Sequence, residues 1–252
     1  MYDNILLPYD GSEGAAEVLH HASELAHWAD ATIQMLYVAD TTRDSVTVVE
    51  GHTVDALAQQ GEDIVDEAAK TLDTLGVSYD TDVVQGNPAP TIVEYAERYD
   101  QDLVVMPTHG RDGVSRYLIG SVSEKVVRLS SVPVLTVRMQ PDETLAFPYE
   151  NILVPTDGSS AATHAAEHTL SLAASLDATV HVLSVVDDSA LGPDVRSTVS
   201  GQDSDEAATD AVETVVSKAE TRGVDDIVRH VEHGTPVEEI LDCIESNDIH
   251  AV

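Results

Sequence analysis

One pattern occurs twice along the chain, and this duplication restricts the folds that the chain can adopt. The segment NILLPYDGS at Asn4–Ser12 returns as NILVPTDGS at Asn151–Ser159, and TIQMLYVAD at Thr32–Asp40 returns as TVHVLSVVD at Thr179–Asp187. A third pair, GNPAPTIVEYAE and GTPVEEILDCIE, follows in the same order. Because the spacing is nearly constant and far longer than a solenoid repeat, each copy is predicted to be a domain.

The duplication predicts a first domain over residues 1–138, a linker over 139–149 and a second domain over 150–252. The linker contains two prolines and several polar residues. The second copy matches the first only until Val252, which corresponds to about Val104, in the middle of the fourth strand. We therefore expect a fragment of a longer chain or, in a complete chain, a second domain that is poorly stable or dependent on a partner.

Short apolar runs alternate with amphipathic segments within the first copy. The runs NILLPY, TIQMLYVA, VSYDTDVV, DLVVMP and VPVLTV predict strands. The intervening helices are predicted from the Ser12 cap to about Ala29, from Val54 to Leu75, from the Asn87 cap to about Tyr99, and from Gly120 to Leu129. This alternation predicts an α/β fold with a parallel sheet and helices on both faces. Ligands of such sheets bind beyond the carboxyl ends of the strands, where the strand order reverses.

The chain is strongly acidic, with 12 Lys and Arg against 46 Asp and Glu and a formal net charge of −34. This excess argues against binding to nucleic acid or to an anionic membrane surface. It is typical of a salt-loving organism, because molar salt shortens the Debye length to about 3 Å. The N-terminus has no signal peptide and no segment approaches the roughly 20 apolar residues of a membrane helix, so a cytoplasmic protein is expected.

The stretch MPTHGRDGVSRYLIGSVSEKV departs from this acidic background. Arg111, Arg116 and Lys125, with Arg128 just beyond, are four of the chain's 12 Lys and Arg residues. Such a cluster would favour an anionic ligand.

Glycines accompany these charges. Gly110 and Gly113 permit tight turns and close approach of a ligand to the backbone. Gly120 and Ser121 open a helix whose N-terminal N–H groups suit an anion. The pattern favours a phosphate-binding loop, although the glycines could serve only as turns and SVSE, from Ser121 to Glu124, only as a capping box. Neither a Walker A motif nor a G-x-G-x-x-G motif after the first strand is present.

Several separated motifs resemble the universal stress protein family over the full length of the first copy. They are the opening ILLPYDGS, the turn GNPAPTIVE, the loop THGRDG and the closing VPVLTV. Nucleotide-binding members of that family carry G-x-x-G-x(9)-G-[ST], which here matches Pro107 to Gly110, nine residues, and then Gly120-Ser121. Pro107 replaces the first glycine and offers no N–H to a phosphate.

The resemblance implies a Rossmann-like open sheet in the order 3-2-1-4-5 with an adenine nucleotide, usually ATP, with or without Mg²⁺, where the order reverses. Pro8 and Asp10 would lie at the ribose, and the Val38 backbone would meet the adenine edge with Met106 nearby. The phosphates would be held by Gly110, Gly120, Ser121, Val122 and Ser123.

These observations predict an ATP-binding stress-response sensor or regulator with one complete site. No residue is placed as a general base, so at most slow ATP hydrolysis is expected, and no metal site is predicted. The alternative is a dimerising interaction module that binds no nucleotide; an ATP-using enzyme of a related fold has less support. Family domains pair through their fifth strands, so a homodimer through Val134–Val137 is also expected.

Overall fold

The computed structural model describes residues 1–41, 52–108, 120–137, 145, 147–187 and 198–252, with the backbone alone for 52–56 and 198–202. These residues form two compact units, Met1–Leu145 and Ala146–Val252. Within the described ranges, no helix is long and apolar enough to cross a membrane.

The first unit alternates strands and helices along its length. Its described strands are β1 (Asn4–Pro8), β2 (Thr32–Asp40), β3 (Tyr79–Gly86), β4 (Leu103–Pro107) and β5 (Val134–Val137). Its described helices are α1 (Glu13–Ala29), α2 (His52–Leu75), α3 (Pro88–Arg98) and α4 (Ser121–Leu129). The predicted helices are all present, although α2 begins two residues before the predicted Val54.

Local signals set the helix ends. The Ser12 hydroxyl accepts from the Ala15 N–H, so Ser12 caps α1 as predicted. That helix ends at Asp30, which adopts a left-handed conformation with φ 55° and donates its N–H to the Ala26 carbonyl. Asn87 occupies the cap position of α3, but its side chain makes no capping hydrogen bond.

The five strands pair in the order β3-β2-β1-β4-β5, and every pairing is parallel. This confirms the α/β fold and the strand order that the family resemblance implied. On one face, Leu6, Leu36 and Met106 pack with apolar residues of α3 and α4. The central strands are buried on both faces, which is why their sequences are continuous apolar runs rather than alternating ones.

The second unit repeats the beginning of this architecture with a smaller sheet. Its described elements are β6 (Asn151–Pro155), α5 (Ser160–Leu176), β7 (Thr179–Val186), α6 (Thr198–Thr221), β8 (Ile227–His233) and α7 (Pro236–Ser246). The strands pair in the order β6-β7-β8, all parallel. This order corresponds to β1-β2-β3 of the first unit.

Ala251 occupies the start of the fourth-strand position in the second unit. It forms an isolated parallel bridge with Ile152, and its carbonyl accepts from the Leu153 N–H at 2.9 Å. In the first unit, Leu103 pairs with Ile5 in the same way. Val252 therefore corresponds to Val104, the position that the sequence comparison assigns to it.

Candidate functional site

The strand order predicts a ligand-binding crevice in the first unit, between the carboxyl ends of β1 and β4. These strands are neighbours, with β2 and β3 on one side and β5 on the other, so the order reverses between them. A crevice at such a reversal is where open α/β sheets bind ligands. The loops that follow β1 and β4 both begin at this edge.

Two prolines terminate the pairing of β1 with β4. Backbone groups of alternate strand residues point to the same side. The Asn4 carbonyl accepts from the Asp102 N–H, so the backbone of Asn4 and, four residues later, that of Pro8 face β4. The Thr108 N–H donates to the Val137 carbonyl of β5, so the backbone of the preceding residue, Pro107, faces the opposite side, towards β1. The last residue pair between β1 and β4 is Leu6 with Val104. Since neither proline has an N–H, they cannot extend the ladder, and the strands separate where the crevice opens.

This geometry adds a role for Pro107. The sequence identified it only as a missing phosphate donor, and its absent N–H does face the crevice. Its carbonyl, however, accepts the Ser123 hydroxyl at 2.8 Å, a buried contact that joins β4 to α4. Sequence reasoning missed this contact because the two residues are 16 positions apart and separated by a loop.

Asp10 sits in a turn that its own side chain closes. The Asp10 carboxylate accepts from the Ser12 N–H at 3.0 Å, and Gly11 adopts φ 77°, a conformation that favours glycine. The Tyr9 N–H donates to the Leu36 carbonyl at 2.9 Å, which fixes the turn against β2. The half-buried Asp10 is therefore held at the edge of the crevice by backbone contacts on both sides of it.

Burial, above all, raises the pKa of Tyr9, and the carboxylates of Glu67 and Asp10 raise it further. The phenol next to Asp10 therefore stays protonated and neutral at physiological pH.

Val38 presents its backbone to the same crevice. The pairing of β1 with β2 ends at Pro8 and Leu36, whereas β2 continues with β3 to Asp40. Because the Leu36 carbonyl faces β1, the N–H and carbonyl of Val38 two residues later face the same way. Within the described residues, no strand pairs with β2 on that side beyond Leu36. Met106 is only 4% exposed and packs in the core beneath this edge.

The N-terminus of α4 forms the other wall. Gly120 is the N-cap residue, and the first bond inside the helix joins the Glu124 N–H to the Gly120 carbonyl. The N–H groups of Ser121, Val122 and Ser123 therefore precede the helical ladder and have no carbonyl partner inside the helix. This arrangement excludes the capping-box reading, because Ser121 is the first helical residue and not the cap.

The individual phosphate candidates differ in what they can offer. The Gly120 N–H donates to the Thr108 carbonyl at 2.6 Å and closes the base of the loop. The Ser123 hydroxyl is engaged by Pro107, so only its N–H could serve a ligand. Ser121 is exposed and could offer both its N–H and its hydroxyl. Gly110, Arg111 and Arg116 lie outside the described residues.

Positive charge is present on α4 itself. Lys125 and Arg128 are exposed, and Arg128 lies 3.7 Å from the Glu124 carboxylate in an exposed ion pair. Such a pair contributes little to stability, so Arg128 can exchange Glu124 for another anion at little cost.

The second unit repeats the turn that follows the first strand. The Asp157 carboxylate accepts from the Ser159 N–H at 2.8 Å, and Gly158 adopts φ 76°. Hydrogen bonding by Ser159 lowers the pKa of the Asp157 carboxyl. Pro155 ends β6 and the Thr156 N–H donates to Leu183, as Tyr9 does to Leu36. The two copies therefore share this wall of the crevice in detail.

Comparison with known proteins gives concordant matches. The model of the universal stress protein family matches residues 1–138 and 148–252. Universal stress protein MJ0531 of Methanocaldococcus jannaschii is 35% identical over 141 residues, covering 55% of this chain and 83% of that protein.

Two solved structures share the fold. The structure of protein MJ0577, also of Methanocaldococcus jannaschii, is 30% identical with a TM-score of 0.52, covering 56% of this chain and 99% of that one. A universal stress protein from Archaeoglobus fulgidus aligns over 98% of this chain and 84% of its own, with a TM-score of 0.71 and 24% identity.

Proposed function

Because the chain belongs to the universal stress protein family, we propose that its first unit binds an adenine nucleotide, ATP, at the crevice between β1 and β4. The observation that carries the proposal is the convergence of three unlike groups on this edge. They are the strand backbone at Val38, the Asp10 carboxylate and the N-terminus of α4. A purine edge, a ribose and a phosphate chain require groups of these three kinds.

Each group has a defined role in this proposal. The N–H and carbonyl of Val38 bind the adenine edge, and Met106 supplies the apolar floor beneath it. The Asp10 carboxylate accepts from the ribose hydroxyls next to Pro8. The phosphates, with or without Mg²⁺, lie at the helix N-terminus, where the N–H groups and the helix dipole favour an anion.

Contacts at the helix start support a division of roles among the proposed phosphate donors. Ser121, Val122 and Ser123 contribute N–H groups and Ser121 adds its hydroxyl, while Gly120 and the Ser123 hydroxyl hold the loop base. Gly110 remains the proposed donor from the loop. The absent N–H of Pro107 removes one donor from the crevice, which costs about 1 kcal/mol, or roughly fivefold in affinity.

The site holds and orients a nucleotide rather than cleaving it. In this proposal Asp10 accepts from the ribose hydroxyls, so it does not serve as the base for hydrolysis at the phosphates. We propose a sensor or regulator in which ATP occupancy is the signal and hydrolysis is at most slow.

A titration of ATP into the protein in concentrated KCl tests this function. Saturable binding is expected, and it should be lost when Gly110 and Gly120 are both changed to Val, since the Cβ branches would obstruct phosphates at the loop and helix start. The control is Ser160→Val at the exposed first residue of α5 in the second unit, which should leave ATP binding unchanged. ATP binding that survives the double change would show that the loop is not part of the nucleotide site.

A second candidate function is an interaction module without nucleotide. It is favoured by Pro107, which removes a donor, and by β5, an edge strand whose first three residues are only partly buried. Complete absence of ATP binding to the unmodified protein would select this function.

A further inference from the structure

Two imidazole side chains meet on the sheet of the second unit. His181 Nδ1 and His230 Nε2 lie 3.1 Å apart, and the two ring planes make an angle of 11°. His181 lies on β7 and is 6% exposed, whereas His230 lies on the neighbouring strand β8 and is partly buried. The strand register brings them together, because His230 pairs with Leu183, two residues after His181 on the same face of the sheet.

The corresponding positions of the first unit carry no imidazole. The repeated motif aligns His181 with Gln34, and the strand register aligns His230 with Asp82. The same fold is therefore built with other side chains at these two positions, so the histidine pair is not required to form the sheet.

The pair lies on strands that both units have in full. The strands β7 and β8 are the counterparts of β2 and β3, whereas β4 and β5 of the first unit follow on the opposite side of β1. The contact between the two rings therefore does not depend on any element beyond the fourth-strand position.

The separation of the two nitrogens suits a shared metal ion. At metal–nitrogen bonds of about 2.0–2.1 Å, two imidazole nitrogens on one ion lie about 2.9 Å apart at a right angle and about 3.3 Å apart at the tetrahedral angle. The observed 3.1 Å falls between these values. Because the nitrogens face each other, the less buried ring, that of His230, has to rotate to direct both lone pairs at one ion. The broad torsion that carries a histidine ring permits this rotation.

His181 presents a neutral imidazole, the form that binds metal ions. Burial lowers the pKa of His181, and the neighbouring His230 lowers it further. In the contact between the rings one nitrogen donates its hydrogen and the other accepts it. If that proton moves to the far nitrogen of the same ring, both facing lone pairs become available. The rearrangement changes a tautomer and leaves the charge of the pair unaltered.

The surroundings favour a cation and restrict its kind. The formal net charge of −34 attracts cations to the chain. Across the described ranges, no third His, Cys, Asp or Glu joins the pair in a metal-binding group, so water has to complete the coordination. Two imidazoles without a carboxylate favour Ni²⁺, Cu²⁺ and Zn²⁺ over the hard cations Mg²⁺ and Ca²⁺.

We propose that His181 and His230 together bind a divalent transition-metal ion that prefers imidazole, namely Ni²⁺, Cu²⁺ or Zn²⁺. His181 binds the ion through Nδ1 and His230 binds it through Nε2, while water occupies the remaining positions. The site belongs to the second unit and is independent of the nucleotide site proposed for the first.

The probe is Cu²⁺, which nitrogen ligands bind most tightly among these ions. It is titrated into the full chain in concentrated KCl with excess Mg²⁺, which occupies surface carboxylates. The variants are His181→Gln, which installs the residue found at Gln34, and His230→Gln. The control is His164→Gln, which removes an exposed histidine of α5. Because His168 follows four residues later, this control also tests a competing pair at a metal-binding helical spacing.

The expected result is one Cu²⁺ per chain that binds more tightly than any other, weakened about tenfold or more by either variant of the pair and unchanged by the control. Electron paramagnetic resonance of the parent should show coupling to two imidazole nitrogens, and that of each variant should show fewer. Circular dichroism establishes that the variants remain folded. If His181→Gln fails to fold, His230→Gln, at the less buried position, decides the same question.

Three outcomes would overturn the proposal. They are equal Cu²⁺ affinity in the parent and the folded variants of the pair, a spectrum without coordinated nitrogen, and the absence of a site that survives excess Mg²⁺. Loss of the tight site in His164→Gln would assign it to α5 instead.

Discussion

Asp10 combines two tasks that substitution can separate. Its carboxylate closes the turn by accepting from Ser12, and in the proposed complex it also accepts from the ribose. Asp10→Ala should therefore destabilise the first unit by about 1 kcal/mol and weaken ATP binding by about tenfold. Isothermal titration and chemical denaturation at one KCl concentration measure the two effects.

The duplicated turn supplies the control for that substitution. Asp157 makes the same contact with Ser159 in the second unit. Asp157→Ala should show a stability loss of similar size with no change in ATP affinity. An equal loss of ATP affinity in both variants would show that the loss does not come from a contact between Asp10 and the ribose.

His21 makes the stability of the first unit depend on pH. It is buried in α1, and burial lowers its pKa from 6.5 to about 4. Between these values the unfolded chain binds a proton at His21 that the folded chain does not. Stability should therefore fall as the pH drops from 6.5 towards 4, by an amount on the order of 3 kcal/mol.

The measurement is the free energy of unfolding of the parent and of His21→Leu across that pH range at fixed KCl. Other groups titrate in both proteins, so the difference between the two curves isolates His21. The variant should lose less stability on acidification. Parallel curves would mean that the pKa of His21 is the same in the folded and the unfolded chain.

The junction of β4 with α4 predicts opposite outcomes for two neighbouring serines. Ser123→Ala removes the donor to the buried Pro107 carbonyl and should cost about 1–3 kcal/mol of unfolding free energy. Ser121→Ala, at an exposed first helical position, should leave stability nearly unchanged but weaken ATP binding a fewfold. The pair is measured by denaturation and by titration. A stability loss at Ser121 and not at Ser123 would contradict the geometry of the junction.

Secondary structure was predictable where a pattern acts locally. The buried strands and the Ser12 cap follow from apolar runs and backbone chemistry, and the structure has all of them. The strand order came from the family resemblance, because alternation alone does not determine which strands are neighbours.

The details of the candidate site could not be predicted in the same way. The facing prolines and the contact between Ser123 and Pro107 depend on register between segments that are distant in sequence. The choice of Gly120 over Ser121 as the cap depends on where the loop returns to Thr108. The roles of Asp10, Val38 and Gly110 in nucleotide binding remain predictions.

Assembly of the whole chain can be tested at the outer edge of β5. The carbonyls of Pro133 and Val137 face β4, so the backbone of Thr136 faces away from the sheet. If two copies pair through this edge, Thr136→Pro should remove a hydrogen-bond donor from the interface and dissociate the dimer, while the ladder with β4 is kept. Sedimentation velocity measures the mass of the parent and the variant.

Leu135→Pro is the contrasting substitution, because the Leu135 backbone faces β4. It should destabilise the first unit itself rather than only the dimer. A parent protein that sediments as a monomer with a stable fold would remove the dimer prediction.

The hydrogen bond from the Gly120 N–H to the Thr108 carbonyl closes the loop at its base. The Thr108 N–H donates in turn to the Val137 carbonyl of β5, so the two residues that flank the loop are attached to the sheet through backbone hydrogen bonds. Because these contacts are made by backbone groups of Thr108 and Gly120, they do not depend on which side chains the residues from 109 to 119 carry. Libraries of sequences in this interval should therefore vary the ligand that is bound while both backbone contacts are kept.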